Sequence, residues 1–62
     1  MNKKNQVRIK MKLLEKGIKQ KELAKILEYS PAMVCMILSG KEYPTRKFKN
    51  WVKENLGVSV SG

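Results

Sequence analysis

The sequence contains no histidine, no aspartate and only one cysteine among its 62 residues. A single cysteine excludes a disulfide within the chain. The lack of histidine removes the side chain that most often acts as a general base and a common ligand of zinc. Glutamates are the only acidic side chains, and no glycine-rich phosphate-binding loop accompanies them. We therefore predict that the protein is not an enzyme and uses no cofactor or metal.

Long apolar stretches are also missing. No run approaches the roughly 18 residues that a transmembrane helix needs. The polar start, residues 1–4, is not followed by the apolar segment of a signal peptide. We expect a cytoplasmic protein without a membrane partner.

Positive charge is abundant by contrast. Fourteen lysines and arginines stand against five glutamates, which gives a net charge of +9. Such a bias in a short chain indicates a polyanionic partner, either nucleic acid or an anionic surface. The simpler alternative is that the lysines only keep helix faces solvated. A chain of this length provides one domain with a modest core.

The middle of the chain has the pattern of two short helices joined by a tight turn. In the first helix, predicted over residues 20–27, Leu23, Ala24 and Leu27 fall on one face. Because few residues separate the two helices, they must cross at a steep angle, which requires a small residue where their axes approach. We predict that Ala24 is that residue and that Val34 lies opposite it.

The second helix of this pair is predicted over residues 31–39. Ser30 can offer its side-chain oxygen to the free N–H groups of the first turn, and Pro31 suits the first helical position, where no N–H is needed. Gly40 can end the helix in a left-handed conformation. The side chains expected to face inward are Val34, Ile37 and Leu38.

Two further helices flank the pair. One is predicted over residues 6–16, with Ile9 and Leu13 facing inward and with Val7, Met11 and Leu14 widening that stripe. The other is predicted over residues 45–56. Its apolar face consists of Phe48, Trp51, Val52 and Leu56.

The fold class that follows is all-α, a compact bundle of four short helices. We expect residues 1–5 to form a flexible basic arm, residues 6–57 to form the folded domain, and residues 58–62 to form a tail. Trp51 is expected in the core, since stacking on a nucleic-acid base would require it to leave the core.

Residues 17–24, with the sequence GIKQKELA, are followed at fixed spacing by Leu27, Ser30, Val34, Ile37, Gly40 and Lys41. This pattern resembles the helix-turn-helix family of phage repressors and Cro-like proteins, and the resemblance covers roughly residues 7–57. It implies a DNA-binding domain whose second motif helix lies in the major groove. It also implies a small transcriptional regulator of the phage or mobile-element type, in a bacterial or phage-infected cell. Because many relatives dimerise on DNA, a homodimer on double-stranded DNA is a further expectation.

Two positions depart from the family pattern. Lys19 stands where the family usually has a serine or threonine as N-cap. Either the cap is merely suboptimal, or a phosphate completes it together with Gln20 and Lys21. Glu28 stands where the family commonly has a left-handed glycine, at a cost on the order of 1 kcal/mol. The next residue, Tyr29, is expected to cover the core with its ring and to keep its hydroxyl in solvent.

The outer side of the second motif helix is the expected base-facing surface: Pro31, Ala32, Cys35, Met36 and Ser39. Family members usually carry amide or charged side chains there, which hydrogen-bond base edges. Here we expect thymine-methyl contacts and DNA shape to set the sequence preference. Affinity would come from phosphate contacts. The expected phosphate-contacting residues are Lys19, Gln20, Lys21, Ser30, Lys41, Arg46 and Lys47.

The same surface supports an alternative function. A protein-interaction module, either antirepressor-like or an accessory factor, would use the apolar face of residues 31–36 to bind another protein, because methionine-rich surfaces adapt their shape. The net charge favours DNA binding, and the composition of the face favours protein binding. Cys35 also has two interpretations, a redox-sensitive thiol or a small half-buried filler.

Overall fold

Residues 1–60, which the computed structural model describes, form four α-helices and no β-strand. The helices are α1 (Lys3–Glu15), α2 (Gln20–Leu27), α3 (Pro31–Leu38) and α4 (Arg46–Leu56). The predicted all-α bundle of four short helices is confirmed. None of these helices combines the length and the apolar character that crossing a lipid bilayer requires.

A single apolar core holds the helices together. α2 packs on α3, and α1 packs against both α3 and α4. Ala24 and Val34 are only 2% and 0% exposed, so the small residue of α2 lies in the interior beside the helix that follows. The buried hydrophobic side chains of the core are Ile9, Leu13, Leu23, Ala24, Leu27, Val34, Ile37, Leu38, Phe48, Val52, Leu56 and Val58. Trp51 is half-buried and packs against this core.

α1 begins three residues before its predicted start, at Lys3. Its N-cap is Asn2, whose side-chain oxygen accepts a hydrogen bond from the backbone N–H of Asn5 at 2.8 Å. The expectation of an arm over residues 1–5 is therefore corrected, since residues 3–5 belong to α1. Apolar periodicity does not show such a start, because the cap is a polar residue outside the stripe.

The inward stripe of α1 is also narrower than predicted. Ile9 and Leu13 are buried, whereas Val7, Met11 and Leu14 are exposed instead of widening the stripe. Val7 and Met11 lie one turn apart on one side of the helix, and Ile9 and Leu13 lie on another side. α1 therefore has two apolar sides, of which one faces the core.

Glu28 ends α2 in the left-handed conformation, with φ 61° and ψ 36°. It is the only residue other than glycine with a positive φ in residues 1–60. The backbone N–H of Glu28 donates to the carbonyl of Lys25 at 3.2 Å, and that of Tyr29 donates to the carbonyl of Ala24 at 2.8 Å. These two bonds are those of a helix-ending Schellman motif. The turn into α3 therefore has a conformation that normally favours glycine.

The packed domain extends beyond α4. Gly57 adopts a left-handed conformation, with φ 67°, and the chain then turns back toward the helices. The N–H of Val58 donates to the carbonyl of Val52 at 3.3 Å, and the Val58 side chain is 1% exposed. Val60 is half-buried against the same core. The predicted tail is thus corrected for residues 58–60, and Ser61 and Gly62 lie outside the described residues.

Candidate nucleic-acid interface

α3 turns one side to the core and leaves the other side uncovered. Val34, Ile37 and Leu38 are at most 1% exposed. Helical geometry places the remaining positions on the opposite side. The outer face of α3 consists of five exposed residues, Pro31, Ala32, Cys35, Met36 and Ser39. The structure thus brings all five predicted base-facing residues together on one exposed surface.

The outer face of α3 is uncharged and has few free hydrogen-bonding groups. The Ser39 hydroxyl donates to the carbonyl of Met36 at 3.3 Å. The Ser30 hydroxyl oxygen accepts the N–H of Met33 at 3.2 Å, so Ser30 serves as the N-cap of α3. Both hydroxyls are therefore engaged within the helix. The side chains that remain are methyl, thioether, thiol and ring groups, which cannot form the paired hydrogen bonds that identify a base.

Cys35 belongs to this exposed surface. The interpretation of Cys35 as a small half-buried filler is wrong, because the core-facing positions of α3 are occupied by its larger neighbours Val34, Ile37 and Leu38. Met33 behaves differently from Met36. It is half-buried and packs against the core, whereas Met36 is 38% exposed.

The start of α2 lacks a side-chain cap. Lys19 occupies the N-cap position with an extended backbone, φ −84° and ψ 158°, and makes no side-chain capping hydrogen bond. Lys19, Gln20 and Lys21 are all exposed. The first N–H groups of a helix have no partner within the helix, and together they attract anions. At α2 these groups are accompanied by two lysines.

The cations near the start of α4 differ in whether a carboxylate lies beside them. The Nζ atom of Lys47 lies 3.8 Å from the Oε2 atom of Glu28 and 5.7 Å from the centroid of the Tyr29 ring. Lys41 and Arg46 are exposed and belong to neither of the two ion pairs found in residues 1–60. An exposed pair such as Lys47 and Glu28 contributes little to stability, but it lowers the charge that Lys47 offers to an anion.

Tyr29 connects the α2–α3 turn to the start of α4. Its hydroxyl, expected to lie in solvent, forms a hydrogen bond with the Thr45 hydroxyl in a partly buried contact. Thr45 is also the N-cap of α4, and its oxygen accepts the N–H of Phe48 at 3.2 Å. The chain between α3 and α4 brings these two hydroxyls together, and no local pattern in the sequence indicates that contact.

Comparisons of the chain with protein-family models, with curated proteins and with solved structures found no match. The resemblance to phage repressors and Cro-like proteins therefore stays a prediction, and the geometry of the surface itself must support any function assigned to it.

Proposed function

We propose that the protein is a small DNA-binding transcriptional regulator of the helix-turn-helix type, which inserts α3 into the major groove of double-stranded DNA. One observation carries this proposal: a short helix has an exposed outer face in a domain of net charge +9. An α-helix with its side chains is about 10–12 Å across. The major groove is about 12 Å wide, so it accommodates one helix.

Phosphate contacts would supply most of the affinity. Lys41 and Arg46 are the strongest candidates, because both are exposed and outside the ion pairs of the described chain. Lys47 contributes less, since Glu28 lies beside it. Neutralising phosphates releases condensed counterions, so the binding constant falls steeply as the salt concentration rises.

A DNA phosphate also fits the start of α2. The first-turn N–H groups there lack a capping side chain, and the exposed residues Lys19, Gln20 and Lys21 stand at this end of the helix. In this proposal the missing cap is completed by the ligand, which fixes the register of the protein on the duplex without reading its sequence.

Sequence preference would come from apolar contacts and DNA shape. Ala32, Met36 and the Pro31 ring can contact thymine methyl groups, the only apolar feature that base pairs present in the major groove. A bidentate hydrogen-bonded contact discriminates between bases by about 1–3 kcal/mol, and the outer face of α3 offers none. We therefore expect weaker discrimination at each position, with thymine-rich or readily deformed sites preferred.

Protein binding is the second candidate function. It is favoured by the chemistry of the outer face, on which Pro31, Ala32, Cys35 and Met36 are all apolar and exposed. An antirepressor-like or accessory role would use this face to bind another regulator. If the outer face binds a protein and α3 does not enter DNA, Met36→Glu should abolish the protein complex and leave non-specific DNA affinity largely intact. If α3 lies in the major groove, the added carboxylate should weaken DNA binding as well. Met33 is unsuitable for this substitution, since it packs against the core.

The test of DNA binding is a selection of duplexes from a random pool at low salt, followed by titration of the selected duplexes over a range of salt. We expect measurable binding, a steep negative dependence on salt and enrichment of particular sequences. A failure to bind any duplex at low salt would remove the proposal. Sizing the protein at two concentrations, alone and with a selected duplex, tests whether a homodimer forms on DNA.

The proposed role involves no catalytic group, metal or cofactor. It places the protein in the cytoplasm of a bacterial or phage-infected cell, where the DNA is.

A further inference from the structure

α1 carries a second apolar stripe that nothing in the described chain covers. Val7, Met11 and Leu14 are 48%, 58% and 81% exposed. Their spacing, i, i+4 and i+7, places them along one side of the helix. Single exposed apolar side chains are ordinary on protein surfaces. Three in one stripe form a patch of the kind that marks an interaction site.

A groove of about 470 Å³ adjoins this stripe. Buried Leu13 and Leu38 contribute to it from α1 and α3, and half-buried Ile18 contributes from the α1–α2 loop. Met11 and Leu14 belong to both the stripe and the groove. The α1 surface, defined as the stripe together with the groove, is therefore concave at one end and can receive side chains of a ligand.

Cations dominate the surroundings of the α1 surface. Lys10 and Lys19 line the groove. α1 has five lysines and arginines and a single carboxylate, Glu15, which lies 3.9 Å from Lys12. A ligand that buries its apolar side here would therefore place its polar edges against positive charge.

We propose that the α1 surface docks an acidic amphipathic helix of another protein. Such a helix would lay apolar residues at i, i+3 or i+4, and i+7 along the stripe and into the groove, in the helix-in-groove mode of recognition. Its flanking glutamates and aspartates would face Lys10 and Lys19. The complementarity of charge selects this partner, because like-charge juxtaposition disfavours any ligand that is itself basic.

Two other occupants fit these observations less well. A second copy of the chain would bring its own net charge of +9 to a surface that is already basic. An anionic membrane would satisfy the charge, but a helix that lies on a membrane offers a broad apolar face rather than a groove for individual side chains.

The α1 surface is separate from the outer face of α3. α3 contributes to the groove only through Leu38, which is buried, and none of the outer-face residues lines it. The groove does share Lys19 and Gln20 with the proposed phosphate site at the start of α2, so an acidic partner would compete with DNA for these two residues while the outer face of α3 stays uncovered. The inference does not depend on the proposed DNA binding, and its test uses no nucleic acid.

The test uses two synthetic peptides of identical leucine and glutamate composition. One places leucines at i, i+3, i+4 and i+7 on a helix, and the other has the same residues in scrambled order. Fluorescence anisotropy at about 0.15 M salt, where exposed charges are largely screened beyond about 8 Å, measures binding of each to the full chain. We expect the ordered peptide to bind at least about tenfold more tightly, since only it can bury a continuous apolar side.

Leu14→Ser is the decisive variant, because Leu14 is the most exposed apolar residue of the stripe and its replacement leaves the core intact. It should weaken binding of the ordered peptide by about tenfold or more, the equivalent of one leucine side chain left in water. Ile26→Ser is the matched control, because Ile26 is 49% exposed on α2 and does not line the groove. It should leave the affinity unchanged, and thermal melting should show that both variants fold.

Amide chemical shifts locate the bound peptide. When the ordered peptide is added, changes in the amide chemical shifts of Leu14, Gly17 and Ile18 would support the proposal, provided that those of Cys35 and Met36 do not change. Equal affinity for the two peptides, or an unchanged affinity of Leu14→Ser, would overturn it. The proposal would also be overturned if Leu14→Ser abolished self-association of the chain, or its binding to vesicles of anionic phospholipid, and left the affinity for the ordered peptide unchanged.

Discussion

The hydroxyl groups of Tyr29 and Thr45 are joined by a hydrogen bond across sixteen residues of sequence. Tyr29 lies in the turn between α2 and α3, and Thr45 caps the start of α4. The contact therefore fixes the beginning of α4, with Arg46 and Lys47, relative to the turn that precedes α3. Arg46 and Lys47, two of the cations expected to contact phosphate, directly follow Thr45 in the chain.

Removal of this hydrogen bond should lower stability by a measurable amount. Tyr29→Phe is expected to reduce the free energy of unfolding by about 1 kcal/mol, the net value of one hydrogen bond. Thr45→Ala should reduce the free energy of unfolding by about 1 kcal/mol more than Tyr29→Phe does, because it also removes the N-cap of α4. Thr45→Ser keeps the oxygen and serves as the control. In chemical denaturation, the double variant Tyr29→Phe with Thr45→Ala should lose less than the sum of the single losses. Strict additivity would show that the two hydroxyls do not act together.

Replacement of Glu28 by glycine should stabilise the protein. The left-handed conformation, with φ 61°, costs a residue with a side chain about 1–2 kcal/mol. Glycine also has more freedom in the unfolded chain, so we expect Glu28→Gly to raise the free energy of unfolding by only about 0.5–1 kcal/mol. Glu28→Ala removes the ion pair with Lys47 and keeps the strained conformation. If both variants unfold at the same denaturant concentration, the conformation of residue 28 is not what limits stability.

Enlargement of Ala24 should strongly destabilise the fold. Ala24 is 2% exposed where α2 packs on α3, so a leucine there would force the helices apart. We expect Ala24→Leu to lower the free energy of unfolding by about 1–3 kcal/mol or more. Ala32→Leu makes the same change at an exposed position of α3 and should stay within about 0.5 kcal/mol of the parent. An Ala24→Leu protein that melts like the parent would contradict a tight crossing at this residue.

Loss of single cations should weaken DNA binding equally on all sequences. For Lys41→Gln and for Arg46→Gln we expect the slope of log affinity against log salt to become shallower by about 0.9. Lys53→Gln removes one exposed charge from the last turn of α4, away from the proposed phosphate contacts, and should keep the slope of the parent. If all three variants change the slope alike, the effect is one of net charge and the two residues make no specific contacts.

Shortening of Met36 should change sequence preference more than affinity. Met36 is 38% exposed in the middle of the outer face of α3, where it would contact base edges. Met36→Ala should therefore reorder the duplexes recovered from a random pool, with little change in the salt dependence or the melting temperature. An unchanged order of selected duplexes would place the contacts with bases elsewhere. Ile26→Ala, at an exposed apolar residue of α2, is the control for a general loss of apolar surface.

The prediction of secondary structure was most accurate where the signals are local. α2 has the predicted bounds, Gln20–Leu27, and α3 and α4 differ from their predicted ranges by one residue at one end. Apolar spacing indicated all three helices, and Ser30 followed by Pro31 marked the start of α3; these signals lie within or beside the helices themselves. The left-handed conformation at Glu28 was implied by the resemblance to the helix-turn-helix family, which commonly has a glycine at this position, and the structure shows it.

The remaining features depend on residues that meet only in the folded chain. The outer face of α3 could be inferred from the apolar residues that face inward. The sequence did not indicate the hydrogen bond of the Tyr29 hydroxyl, the burial of Val58 or the exposure of the second apolar stripe of α1. A helix with apolar residues on two sides does not itself indicate which side the core will take. Packing against α3 and α4 selected the side of Ile9 and Leu13, and left Val7, Met11 and Leu14 in solvent.

The sequence alone thus determined the four helices, the ends of α2, α3 and α4 to within one residue and the positive charge of the protein, because these follow from backbone geometry and composition. The tertiary structure decided which apolar side chains stay exposed and where the cations lie, because burial depends on which surfaces distant segments of the chain cover.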